Sequence, residues 1–195
     1  ALPGDVIWED TNEDGIFSAA DKQIIGQGIP EYTFGMSNRI SYDNIQLSFF
    51  FQGVAQVDVL NLSRIEGYEQ RTINTSLLDR WTPDNTSGTQ PLRGWGRPYY
   101  TNTKLLESGD YISLKNVRLS YSLPAEKLET SLIRDLTITL SGSNLLVFSS
   151  YSGYHPEVNS NNVGNSTVFN AQASSIDSYA YPSQQTFSLG LNIGF

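Results

Sequence analysis

Along the last eleven positions of the chain, Gln185 to Phe195, apolar and polar residues alternate one by one. Phe187, Leu189, Leu191, Ile193 and Phe195 share one parity; Thr186, Ser188, Gly190, Asn192 and Gly194 share the other. A strand points successive side chains to opposite faces, so this segment has one greasy face and one small, polar face. Its length suits a tilted strand crossing a bilayer.

The same alternation recurs upstream. Tyr32, Phe34, Met36, Ile40 and Tyr42 oppose Thr33, Gly35, Ser37, Arg39 and Ser41, and then Ile45, Leu47, Phe49 and Phe51 oppose Gln46, Ser48 and Gln52. Phe50 breaks that second run. Val117, Leu119, Tyr121 and Leu123 oppose Asn116, Arg118, Ser120 and Ser122, and Leu136, Ile138 and Leu140 oppose Thr137, Thr139 and Ser141. Strands are therefore expected near 31–42, 45–54, 111–123, 136–145 and 185–195. Taken alone, the alternation suits either a barrel wall with a polar lumen or a soluble antiparallel sheet with its apolar parity on a core.

The connections favour the barrel. Asp43-Asn44 leaves room only for a tight turn, and a medium link joins Pro124 to Asp135. The loops 55–110 and 145–184 are long. Short links alternating with long ones are expected of an outer-membrane barrel, with long loops outside and short turns in the periplasm. That parity puts 1–30, 55–110 and 145–184 outside and Phe195 on the periplasmic side. The expected division is an outer loop over 1–30 followed by a β-barrel segment over 31–195.

Composition agrees. Charged residues make up 16% of the chain, against roughly a quarter in ordinary soluble domains, while aromatics reach 12%. No apolar run is long enough for a spanning helix. The net charge of −8 argues against nucleic acid as a partner, since little would neutralise phosphates. Cysteine is absent, which removes disulfide and thiol chemistry. No signal peptide opens the sequence, so a C-terminal piece of a larger protein is expected.

One loop carries recognisable chemistry. Asp10-Thr11-Asn12-Glu13-Asp14-Gly15 fits D-x-N-x-D-G, with a carboxylate at the twelfth position, Asp21. Calcium takes six to eight oxygen ligands, and this spacing offers them from one turn. Asp10, Asn12 and Asp14 would give side-chain oxygens, Ile16 its carbonyl, Ser18 a direct or water-bridged contact, and Asp21 would close the shell. The closing Asp, where an EF-hand has Glu, is of the dockerin type. A plain Asx/Gly turn is the competing reading.

The long loops hold aromatics beside Arg and turn formers: Trp81, Arg93, Trp95, Tyr99 and Tyr100, with Tyr154 and His155 further on. These are candidates for binding sugars or peptides, because rings stack on apolar faces and Arg holds oxygen-rich groups. Packing of the loops on themselves is the alternative. His155 is the only histidine, so a zinc site built from several imidazoles is excluded. No nucleophile accompanies a His155–Glu157 pair, and no enzyme is expected.

Several further runs carry a family likeness: Pro3-Gly4-Asp5-Val6, Tyr32-Thr33-Phe34-Gly35, Leu47 to Gly53, Arg80-Trp81-Thr82-Pro83, Ser108-Gly109-Asp110-Tyr111-Ile112-Ser113-Leu114-Lys115-Asn116-Val117, Ser141-Gly142-Ser143-Asn144-Leu145, Tyr151-Ser152-Gly153-Tyr154 and the last strand. In this order they span essentially the whole chain. They resemble the C-terminal region of SusC/RagA-type TonB-dependent transporters of Bacteroidetes. His155 departs from the Asp that the resemblance leads one to expect there.

The resemblance implies an all-β fold, the last five antiparallel strands of a 22-stranded transmembrane barrel that encloses an N-terminal plug. It implies import of oligosaccharides or oligopeptides across the outer membrane, with TonB and a SusD-like surface lipoprotein as partners. Phe195 would be the signal read by the barrel-assembly machinery. The remaining alternative is a secreted, soluble, calcium-binding β-domain that binds glycan.

Overall fold

The computed structural model describes residues 3–64, 75–92, 103–124, 132–158, 175–178 and 180–195. Within them the strands are β1 (Tyr32–Tyr42), β2 (Ile45–Ala55), β3 (Asp58–Asn61), β4 (Leu106–Ser108), β5 (Tyr111–Leu123), β6 (Asp135–Ser149), β7 (Ile176–Asp177) and β8 (Thr186–Gly194). Helical structure there is limited to 3-10 turns at Ala19–Asp21, Leu62–Arg64, Thr75–Asp79 and Thr103–Leu105. None of it is long and apolar enough to cross a membrane, which says nothing about crossing by strands.

The long strands form one antiparallel sheet in the order β1-β2-β5-β6-β8. Each strand thus lies beside the next long strand in the chain. The turn from β1 to β2 holds only Asp43 and Asn44, with Asp43 in the left-handed region at φ 49°. Asp tolerates that conformation better than a branched residue would.

Register converts the alternation of each strand into continuous rows across the sheet. Ile40, Leu47, Leu119, Leu140 and Leu189 are paired in sequence, and so are Tyr42, Ile45, Tyr121, Ile138 and Leu191. The opposite face carries the rows Arg39–Ser48–Arg118–Ser141–Ser188 and Ser41–Gln46–Ser120–Thr139–Gly190. On that polar face Ser120 meets Thr139 and Ser122 meets Thr137, both with hydroxyl oxygens 3.1 Å apart. Such cross-strand hydroxyl pairs help hold the register.

Two residues that break the alternation have structural explanations. Phe50 sits on the polar face, where its ring covers Gly35 at 3.2 Å from the place a Cβ would take. Lys115 is skipped in the pairing on both sides, since Leu114 and Asn116 pair with Phe51 and Phe50 in β2 and with Leu146 and Ser143 in β6. This bulge inverts the apolar parity, from Ile112 and Leu114 before it to Val117 and Leu119 after it.

The chain divides into two units, Ala1–Gly26 with Asn61–Leu106 and Gln27–Leu60 with Glu107–Phe195. In the second unit, loop residues after β6 return to pack beside the short sheet β4-β3-β7. There Val59, Tyr151 and Val158 form a small buried cluster with Ala180 against it. The apolar face of the long sheet has no such cover. Phe187, Leu189 and Leu191 are 70%, 78% and 63% exposed among the described residues.

Candidate functional site

In the first unit, the Asp10–Asp21 loop is a set of carboxylate caps on backbone amides. Asp10 accepts from Asp14 N at 3.2 Å and from Gly15 N at 2.7 Å, and Asn12 and Asp14 accept from Asp14 N and Ile16 N. Gly15 has φ +79°, which allows the sharp bend that these bonds need. Asp21 is buried and bridges the loop, accepting from Thr11 N at 3.1 Å and Ser18 N at 2.6 Å. Ser18 returns the favour by capping Ala20 N at 3.1 Å. Trp8 stacks on Phe17 with ring centroids 5.4 Å apart, tying the approach to the loop to its second half.

These amides set the charge state of Asp21. The Ser18 amide is the largest influence and lowers the carboxyl pKa below its ordinary 3.8; burial opposes it, and the Thr11 and Asn12 amides and the Asp10 side chain add to the lowering. Among the described residues no three His, Asp or Glu side chains gather closely enough to hold a metal ion. The side-chain oxygens expected to face calcium are here hydrogen-bonded to the loop itself.

Trp81 belongs to the same unit. Its ring lies over Gly4, 2.6 Å from where a Cβ would sit, and Gly4 has φ +85°. Leu92 N donates to Gly4 O at 2.7 Å, and Trp81 N to Gln90 O at 2.7 Å. One face of the indole is therefore occupied by backbone, while the ring also borders a cleft of about 1370 Å³ with Trp8, Phe17, Lys22 and Lys104. Asp79 closes the neighbouring turn by accepting from Thr89 Oγ1 at 2.7 Å, the main reason its carboxyl titrates below the usual range. Arg93, Trp95, Tyr99 and Tyr100 lie outside the described residues.

In the second unit, Tyr154 is exposed and His155 beside it is buried. His155 Nδ1 accepts from Glu157 N at 3.1 Å, so the ring proton of the neutral form resides on Nε2. Burial pushes the imidazole pKa down; the Glu157 carboxylate pulls against that and Lys115 adds to it. Lys115, the bulge residue, donates to Glu157 and anchors this loop to β5. Sequence reasoning did not single out Lys115, yet the parity inversion between Leu114 and Val117 was the signal for it.

A second buried contact was also not anticipated. Tyr151 donates its hydroxyl to Asp177 at 2.5 Å, and Ala180 N donates to the other carboxylate oxygen at 2.8 Å. Asp177 comes from the far side of a long loop, so only tertiary folding brings the two together. Phe195 follows β8 with its side chain exposed.

No protein-family model matches the chain. It is 35% identical over 197 residues to TonB-dependent receptor P26 of Formosa agariphila and 32% identical over 194 residues to TonB-dependent receptor P3 of the same organism. It is 24% identical over 200 residues to TonB-dependent receptor SusC of Bacteroides thetaiotaomicron. These matches cover 98% or 99% of this chain, which spans about a fifth of the length of these relatives.

Its fold resembles that in structures of the RagAB peptide transporter, with a TM-score of 0.69 at 24% identity over 88% of this chain and 18% of that one. In the "closed-closed" state of the RagAB peptide importer the TM-score is 0.71 at 23% identity, over 92% of this chain and 19% of that one. The matched class is therefore that of TonB-dependent receptors. Within it, the chain is a segment of the SusC/RagA type.

Proposed function

We propose that the long sheet is part of the transmembrane barrel of an outer-membrane importer, the last five of 22 strands as the family resemblance implies. The observation that carries this reading is the pair of opposed faces. One is apolar in every strand and exposed among the described residues; the other is a hydroxyl-lined surface. Lipid covers such an apolar face without a second protein layer, and a water-filled lumen suits the other. The nine residues of β8 also suit a tilted membrane strand. Its free edge and that of β1 need further strands, since open edges in lipid leave backbone groups unpaired.

In this reading the ends bearing the long loops face outward, and Phe195 lies on the periplasmic side. A SusD-like lipoprotein would cover the outer end and TonB would drive uptake of oligosaccharide or oligopeptide. Tyr154, exposed beside the buried His155, would offer its ring to substrate; Trp81, in the other unit, is a separate candidate. The complete receptor, expressed in its own host, should fractionate with the outer membrane. It should need detergent for extraction and migrate differently on gels with and without boiling. A water-soluble product whose migration ignores boiling would refute the assignment.

We further propose that the Asp10–Asp21 loop takes calcium. The support is its ligand order and the bend at Gly15. Calcium would compete with the amide bonds of Asp10, Asp14 and Asp21, so its binding should alter protease cleavage of the loop. No calcium uptake by equilibrium dialysis of the complete receptor would remove this reading.

A further inference from the structure

The loop after β6 is held down on both sides of Tyr154 by contacts made within the second unit. On one side Glu107 accepts from Ser152 N and from Ser152 Oγ, each at 2.8 Å, and Tyr151 donates to Asp177. The Tyr151 ring lies over Gly153, where a Cβ would collide with it. On the other side Glu157 pairs with Lys115, the bulge residue of β5, and its backbone N–H donates to His155 Nδ1 at 3.1 Å. Between these two fastenings Tyr154 is exposed and His155 is buried. The rest of a receptor adds cover to such contacts but is not needed to make them.

The second fastening is the one that a proton undoes. The 155–157 turn needs a lone pair on Nδ1, and a protonated imidazole has none, because both ring nitrogens then carry hydrogen. The Nδ1–H of the cation would face the Glu157 N–H, donor against donor, in a buried place. The charged groups facing His155 are Lys115 from β5 and Glu157 from its own loop, and the Tyr111 hydroxyl of β5 faces Glu157 in turn. Lys115 repels an imidazolium. Glu157 attracts it and thereby gives up part of its hold on Lys115. Both effects loosen the same fastening. Histidine is the side chain whose charge ordinarily changes between about pH 5 and 8, and His155 is the only one in this chain.

We propose that His155 is a proton-operated latch that positions Tyr154. Neutral, it closes the 155–157 turn against β5; protonated, it opens that turn and frees the Tyr154 side of the loop while Ser152 stays on Glu107. Burial is the largest influence on the imidazole and lowers its pKa below the ordinary 6.5; Glu157 opposes this and Lys115 adds to it. Because the folded value is depressed, the latch is fully closed above 6.5 and is released as pH falls through the folded pKa. The latch stands on contacts within the chain. Its consequence for substrate, a Tyr154 ring held firmly at neutral pH and loosely in acid, rests on the importer reading.

The test is hydrogen–deuterium exchange of the complete receptor in detergent, read by mass spectrometry on peptides covering 151–158. Exchange is followed from about pH 7.5 to about pH 4.5, with labelling times scaled for the intrinsic rate. Protection over 155–158 should fall by about threefold or more on acidification, as the loss of one hydrogen bond requires. His155→Asn keeps an acceptor oxygen near the place of Nδ1 but does not titrate, so its protection should stay constant. Lys115→Gln keeps the imidazole and removes the repelling cation, so its midpoint should move to higher pH, whereas Glu157→Gln should move it to lower pH. These two shifts decide the matter if His155→Asn by itself opens the loop. A fall in protection that persists in His155→Asn would overturn the proposal, as would a wild-type change below about threefold. Midpoints unmoved by Lys115→Gln and Glu157→Gln would overturn it too.

Discussion

Arginine at Leu189 tests which medium covers the apolar face. Leu189 is the fourth of the nine residues of β8, one position from the centre of the strand. At about 3.3 Å per residue and a tilt near 45°, it lies roughly 2 Å from the bilayer midplane. It is 78% exposed, and its row neighbours Leu140 and Leu119 are 53% and 43% exposed, so the described residues shield it little. An arginine at that depth should destabilise the barrel by about 2–4 kcal/mol. Ser188→Arg, one residue away on the polar face, should change stability by less than about 1 kcal/mol. Leu189→Trp adds a third arm: lipid tolerates the larger ring, whereas a packed protein core would lose about 1–3 kcal/mol to overpacking. Urea unfolding of the complete receptor from lipid vesicles, followed by boil-dependent gel migration, measures all three. Equal losses for Leu189→Arg and Ser188→Arg would refute the assignment of faces. A large loss for Leu189→Trp would refute lipid and favour a soluble core.

Other sites give sharper local expectations. Gly53→Ala places a methyl against the Phe34 ring and 2.6 Å from the Tyr111 carbonyl, and should destabilise the sheet by about 1–3 kcal/mol in the same unfolding assay. Tyr151→Phe removes the hydroxyl donor of the buried Asp177 and should cost about 1–3 kcal/mol, seen as faster amide exchange in β3 and β7. The folded pKa of Asp21 is depressed, so its stabilisation of the loop is fully present above its ordinary 3.8 and is lost as pH falls through the depressed value. Protease cleavage near Asp10–Asp21, assayed with an acid-active protease, should therefore rise below that point, and Asp21→Asn should show the faster cleavage already at neutral pH.

Much of the sheet was legible because alternation is a local property. Each of the five long segments declared its faces through residues two apart, and the tight Asp43-Asn44 turn fixed the pairing of the first two. β6 nevertheless runs to Ser149, past the point where its alternation fades, because pairing with β5 up to Tyr111 sustains it. The Asp10–Asp21 loop was legible as a bend with carboxylates at set intervals. Its hydrogen bonds show those carboxylates holding amides, a use that the same spacing permits and that a ligand pattern alone does not separate from metal binding. Tyr154 and His155 are neighbours in sequence with opposite fates, one exposed and one buried, and Lys115 pairs with Glu157 two residues on.

The sequence by itself determined the two-faced character of every long strand, since the period of two belongs to the extended backbone. Tertiary structure alone decided which residues share a row, where Lys115 displaces the register, and how Tyr151 meets Asp177. Those depend on pairing between strands and on loop closure across tens of residues. The single-residue slip at Lys115 exchanges the faces on either side of it, and only the assembled sheet shows that Arg39 and Arg118 end in one line.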